Sequence, residues 1–267
     1  DGLTRGGPLA PVPFRWFVNG GVSSDFRQRV AGGVFGSDSE DELGGGGWGI
    51  QTSLEWRPTS TISVSAAPAY QENTSRLQYL QSRSDPAAIA TYQRQYVFAG
   101  IVQKSLDLTT RLNVTFTPTL SLQLYTQPFV ATGAYSRFKA LARTRSLDYV
   151  VYGETPGSSL RCFDANDGLI SCTGMVTPSY YLANPNPAGG AADVRISNPN
   201  FNSRSLRGNA VLRYEYRPGS TLFLVWTRNC SSFSADPAFR AAEELQHLCQ
   251  GPSDNVFGIK LNYWLSY

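Results

Sequence analysis

The stretch Asn255–Tyr267, N-V-F-G-I-K-L-N-Y-W-L-S-Y, decides how this chain is read. Phe257, Ile259, Leu261, Tyr263, Leu265 and Tyr267 occupy every second position, with Lys260, Asn262 and Ser266 between them. In an extended strand alternate side chains share a face, so the segment predicts a strand with one oily side and one polar side. A soluble domain normally shields such an end. Apolar positions stepping back in twos from a terminal aromatic resemble the signal by which bacterial outer-membrane proteins are recognised for assembly, carried here by Ile259, Leu261, Tyr263, Leu265 and Tyr267.

The same alternation recurs upstream. In Leu106–Thr117, Leu106, Leu108, Thr110, Leu112, Val114 and Phe116 oppose Asp107, Thr109, Arg111, Asn113, Thr115 and Thr117. Trp48, Ile50, Thr52, Leu54 and Trp56 oppose Gln51, Ser53, Glu55 and Arg57, and Ala210, Leu212, Tyr214 and Tyr216 oppose Arg213, Glu215 and Arg217. Eleven strands are predicted, near 14–24, 26–37, 46–57, 60–72, 74–83, 91–104, 106–117, 120–133, 206–217, 220–233 and 255–267. Arg57-Pro58-Thr59-Ser60, Thr117-Pro118-Thr119 and Arg217-Pro218-Gly219-Ser220 read as hairpin turns, because Pro pre-sets φ and Gly or Ser completes the bend. The opposite strand ends meet long polar stretches, Gly36–Gly47, Ala134–Ser205 and Asn229–Asp254. Short turns at one end and long loops at the other are the pattern of a transmembrane β-barrel.

Composition agrees. Charged residues make up 16% of the 267, well below the roughly 25% of an ordinary soluble domain, and aromatic residues reach 12%. No apolar run is long enough for a membrane-crossing helix, which leaves strands as the only means of crossing. The net charge of +3 is small and scattered, so no nucleic-acid partner is expected. The expected fold is an all-β antiparallel transmembrane barrel occupying residues 1–267, with 1–13 as an entry segment. Bacterial barrels have even strand numbers and eleven is odd, so either one strand is miscounted or further strands lie upstream of Asp1, which makes the C-terminal part of a larger barrel the expectation. A soluble β-sandwich, which also alternates, is the competing fold.

Within the external stretches, Tyr135–Leu141 and Asp148–Tyr152 are expected to extend a hairpin, and Pro178–Pro199 to be irregular. Ser234-Ala-Asp-Pro offers capping residues before a short helix over Ala238–Leu248, within a loop spanning 234–251. Four cysteines in two local pairs, Cys162 with Cys172 and Cys230 with Cys249, predict two disulfides and an oxidising compartment.

No convincing chemistry emerges, and no catalytic residue, cofactor or metal is expected. His247 is the sole histidine, beside Glu243 and Glu244, and reads as a surface helix residue. The acidic cluster within Cys162–Cys172 lacks calcium-loop spacing, with Met175 where the bidentate Glu would stand. Ser136-Arg-Phe-Lys139 and Ser253-Asp254-Asn255 match fragments of a β-lactamase signature without its helical context. Gly44–Gly49 lacks the strand-then-helix setting of a nucleotide loop. The wet side of the alternating strands supplies the functional candidates instead: Arg111, Arg213, Glu215, Arg217 and Lys260 are expected to face the lumen.

Three blocks, Thr110–Lys139, Arg204–Trp226 and Asp254–Leu265, resemble the C-terminal part of a bacterial envelope family known as domain of unknown function 5916. That resemblance implies an outer-membrane barrel preceded by a carbohydrate-binding family 9-like sandwich, which this chain lacks, and it carries over no catalytic residues. The cysteine-bearing loops depart from the family pattern. Taken together, the sequence predicts an outer-membrane protein in contact with the lipid bilayer and the outer-membrane assembly machinery, with an upstream carbohydrate-binding-like domain or protein as partner. It would serve as a pore, transporter or anchor linked by resemblance to carbohydrate handling. The alternatives are a structural protein whose disulfide-bearing loops bind a partner, and a soluble β-sheet binding domain.

Overall fold

Alternation of this kind folds as expected into antiparallel strands. The computed structural model describes residues 2–173 and 176–265. In chain order it contains β1 (Arg15–Ser23), β2 (Val30–Asp41), β3 (Gly46–Thr59), β4 (Ile62–Ser84), β5 (Arg94–Thr117), β6 (Leu120–Leu141), β7 (Tyr149–Val151), β8 (Ser159–Phe163), β9 (Leu169–Ile170), β10 (Tyr180–Asn184), β11 (Val194–Ser197), β12 (Phe201–Arg217), β13 (Ser220–Ser234), helix α1 (Ala241–Gln246) and β14 (Ser253–Asn262). The long sheet runs β1-β2-β3-β4-β5-β6-β12-β13-β14, with β7 added beside the end of β6, and a second sheet runs β11-β10-β8-β9.

Several expectations change. The long sheet is open: β1 and β14 are edges, and the described residues form no closed barrel. The candidates 60–72 and 74–83 are one strand, β4, and 91–104 and 106–117 are another, β5, so eleven become nine through-running strands. Neither Glu72-Asn73-Thr74 nor Lys104-Ser105-Leu106 contains a Gly or Pro, and nothing there stops the backbone ladder. The last strand spans 253–262 rather than 255–267, and Ser266 and Tyr267 lie outside the described residues.

The three proline turns form as predicted, joining β3 to β4, β5 to β6 and β12 to β13, each beside a shift in register. At the third, Gly219 takes φ +75°, a left-handed conformation that costs glycine nothing. At the opposite end Gly36–Gly47 is no long loop. β2 continues to Asp41, and the Asp41 carboxylate closes a tight turn by accepting from the Leu43 and Gly45 amides at 2.9 and 2.8 Å.

Beyond the proline-turn half, β4, β5 and β6 project as a three-stranded extension that is packed on both faces. One face meets the four-stranded sheet through Val97, Ala99, Phe138, Ala140, Tyr152, Cys162, Tyr181, Ala183, Val194 and Ile196. The other holds Tyr96, Phe98 and Leu141 against Leu3, Tyr79 and Tyr149. The extended hairpin expected at 135–152 exists as the end of β6 paired with β7. Pro178–Pro199 is not irregular: it contains β10 and β11, whose Tyr181, Ala183, Val194 and Ile196 alternate into the core. The Cys162–Cys172 disulfide lies in this head, and Cys230–Cys249 ties the segment after β13.

Burial in the head raises the phenols of Tyr135, Tyr149, Tyr152 and Tyr181, the second and third of them most. Tyr149 is pushed up to about 12, and Tyr152 further still, by burial first and by the Asp85 carboxylate second. A raised phenol contributes stability that is complete below its unfolded value of 10 and is lost as pH climbs towards the folded value. The head is therefore expected to loosen between about pH 10 and 12. Tyrosinate absorbance followed beside near-ultraviolet circular dichroism checks this: a late-ionising group of phenols, Tyr149 and Tyr152 last among them, should appear together with loss of tertiary signal. Ionisation of every tyrosine near 10 would contradict it.

Candidate functional site: the two faces of the long sheet

Cross-strand partners in a sheet point the same way, so the register assigns every side chain to a face. On one face a single row runs Val30, Trp56, Val64, Leu112, Leu124, Ala210, Trp226 and Phe257. The row nearer the turns carries Ile62, Val114, Leu122, Leu212, Leu224 and Ile259. This face is apolar and open, with Ile259 78% exposed and Leu54, Trp56, Leu224 and Phe257 also exposed.

Its upper limit is sharp. Going away from the proline turns, the last apolar residue and the polar residue above it are Tyr70 and Glu72 on β4, Leu106 and Lys104 on β5, Leu206 and Arg204 on β12, Trp226 and Arg228 on β13, and Phe257 and Asn255 on β14. Above that line protein covers the face on β6, β12 and β13, where Thr132, Asn202 and Cys230 are buried. The segment after β13 crosses it as a strap, with Phe239 against Tyr70 and α1 over β6, where Val130 is 0% exposed. Glu244 of α1 pairs with Arg204 and accepts from Asn202 Nδ2 at 2.8 Å. The helix is shorter than Ala238–Leu248, and its N-cap is Arg240 rather than the Ser234 region, which ends β13. His247 closes the helix, with Nδ1 2.7 Å from Gln250 Nε2.

The opposite face is polar. Across β5 and β6, Tyr125 donates to Gln127 Oε1 at 2.8 Å, Gln127 donates to Asp107 Oδ2 at 2.8 Å, and Thr109 donates to Asp107 Oδ1 at 3.1 Å. Arg111 lies over the Tyr125 ring at 5.6 Å. Arg213 pairs with Glu215 at 2.8 Å, and Lys260 sits over Phe223 at 5.9 Å, in the same row as Arg213. Across β1 to β4 this face mixes small side chains with the exposed rings of Phe17 and Phe35. Two hollows open there, about 440 Å³ beside Gly21, Ser23, Gly33, Ser53 and Ala67, and about 450 Å³ beside Phe17, Ser37, Gly49, Gln71 and Asn73.

Arg111, Arg213, Glu215 and Lys260 therefore share the polar face, but Arg217 does not. The register shift between Glu215 and Arg217 makes Arg217 oppose Ser220, which belongs to the apolar side, and its Nη1 donates to the Tyr263 hydroxyl at 3.1 Å. A bulge reverses every later side chain, and strict alternation in the sequence concealed it. Of the terminal signal residues, Ile259 and Leu261 lie on the apolar face of β14, Tyr263 and Leu265 follow exposed beyond it, and Tyr267 is outside the described residues.

Asp164 in the Cys162–Cys172 loop accepts from the Asn166 and Gly168 amides at 2.8 Å each, and Asp167 accepts from the Tyr180 hydroxyl at 2.7 Å. These carboxylates hold a hairpin turn. Among the described residues no three His, Cys, Asp or Glu side chains gather as a metal site. Comparison with known proteins returns no similar family model, curated protein or solved structure.

Proposed function

We propose that this chain forms part of the wall of an outer-membrane β-barrel, with the apolar face against lipid and the polar face lining a route for polar solutes. The observation that carries the reading is the slant of the apolar band. On β3 the band runs from Trp48 down to Trp56, and Trp56 stands in the same hydrogen-bond row as Phe257, where the band on β14 begins. Its upper edge thus drops by the eight residues from Trp48 to Trp56 over the six strand steps from β3 to β14. At about 3.3 Å per residue and 4.8 Å per strand this is a fall of about 26 Å across about 29 Å, a tilt of roughly 40°. Membrane barrels tilt their strands by about 35–45° and present an apolar belt about 25 Å tall edged by aromatic rings. A level bilayer crossing strands tilted by that amount would leave this oblique band.

Lipid also demands paired backbone, and among the described residues the outer edges of β1 and β14 have no partner strand. Both run from the head towards the proline turns, so antiparallel closure of this sheet takes an odd number of additional strands. The resemblance to domain of unknown function 5916 points to the same location, and saccharide handling rests on that resemblance alone. The test is reconstitution: in planar bilayers the protein, assembled in its full membrane form, is expected to give discrete conductance steps and to migrate faster on gels before boiling than after. Absence of both would remove the barrel reading.

A second reading has its own support. β4 continues for fourteen residues beyond Tyr70, and the head it helps build carries the Cys162–Cys172 disulfide. A barrel that only anchors this head for a partner would assemble, migrate anomalously and pass no current.

A further inference from the structure

The head does not sit on the sheet indifferently. β5 keeps unbroken alternation from the head to the proline turn, because the register shifts it shares with β4 and with β6 in the head place the extra residue on those neighbours. On β5, Val97 and Ala99 therefore share a face with Asp107 and Arg111, while Tyr96 and Phe98 share a face with Leu108 and Leu112. Val97 and Ala99 are the residues that meet the four-stranded sheet. That sheet is thus stacked on the polar side of the wall, and the segment around Leu3 and the hydrophobic contact of Tyr149 lie on the apolar side. Polar anchors repeat the assignment: Gln95 Nε2 donates to the Ala192 carbonyl at 3.1 Å, and the Gln81 and Arg83 side chains each donate at 2.8 Å to the backbone of β11 and its approach, at Arg195 and Asp193.

We propose that the β8–β11 sheet overhangs the mouth of the lumen and that its outer surface is the entrance that selects among charged solutes. The inference rests on the barrel reading: a wall curved around its polar face puts anything stacked on that face over the opening. Tyr181, Ala183, Val194 and Ile196 point inward to the head core, which leaves Tyr180, Leu182, Arg161, Phe163 and Arg195 on the surface turned away from the wall. Tyr180 stacks on Phe163 at 4.9 Å with 2° between planes, and the Arg195 guanidinium lies 3.5 Å over the Tyr180 ring. Arg161 is matched by Asp193 at 2.8 Å, whereas the exposed Arg195 rests on an aromatic ring. Asp167 accepts from the Tyr180 hydroxyl, and Asp164 is within electrostatic reach of the same phenol. A guanidinium laid flat on a ring keeps its outer face and edge open to an incoming carboxylate or phosphate. Fixed charge at a narrow mouth sets which ions concentrate there, so the entrance favours anions.

The test uses the intact protein in planar bilayers with native disulfides in place. Leu182→Cys, treated with a negatively or a positively charged thiol-specific methanethiosulfonate, is expected to lose conductance, and the two reagents should shift reversal potential in opposite directions. Arg94→Cys, on the apolar side of β5 and exposed, should respond to neither. Arg195→Glu should lower the anion-to-cation permeability ratio by roughly twofold or more. Conductance that is normal and indifferent to both the Leu182 label and Arg195→Glu would overturn the entrance while leaving the barrel standing. Absence of any conductance in the unmodified protein would instead sink the pore reading on which it rests.

Discussion

Leu124→Arg should destabilise the protein in lipid vesicles by about 2–4 kcal/mol, while Gln123→Arg, one residue away on the same strand, should change stability by no more than about 0.5 kcal/mol. Leu124 stands mid-height in the apolar band, between Leu112 and Ala210, and Gln123 points to the polar side between Asn113 and Val211. A guanidinium at the first position enters hydrocarbon, and at the second it enters a surface already lined by polar groups. On a water-exposed sheet the two substitutions would cost about the same. Denaturant titration of the vesicle-inserted protein distinguishes these outcomes, and equal small effects would argue that the apolar face does not meet lipid.

Glu244→Ala should cost about 3–5 kcal/mol of strap docking, because removing one member of a buried pair leaves the other charge uncompensated. Glu244 is 3% exposed, and both of its partners, Arg204 and Asn202, lie on the apolar side above the band. The strap remains tethered through β13 and the Cys230–Cys249 bond, so the loss should be local. Trypsin is expected to cut after Arg240 many times faster than in the wild type. Glu244→Gln, which can still accept from Asn202, should fall between them. Cleavage unchanged in Glu244→Ala would mean that this pair does not hold the strap.

Much of the wall was legible in the sequence because period-two alternation survives wherever the strands are regular. The proline turns, the apolar face of β14 and the polar placement of Arg111, Arg213, Glu215 and Lys260 all follow from it. What escaped had physical reasons. The bulge before Arg217 adds one residue that no residue type announces. β4 and β5 are each longer than a membrane crossing needs, and Glu72–Thr74 and Lys104–Leu106 hold no breaker to mark where one ends. β10 and β11 are five and four residues long inside a Pro- and Asn-rich region, too short for periodicity to rise above composition. The slant of the band could not be read at all, since it exists only once six strand-to-strand registers are known.

The pairing of β6 with β12, Gly133 against Phe201 and Ala131 against Ser203, gives the head a further property. Everything from residue 142 to residue 200 is inserted between two strands that are already neighbours, so its length does not enter the registration of the wall. Related chains are free to lengthen, shorten or exchange that insertion, provided the exposed sides of β4 to β6 are re-covered. The head is in this sense an interchangeable fitting on a fixed wall, and divergence among relatives should concentrate there.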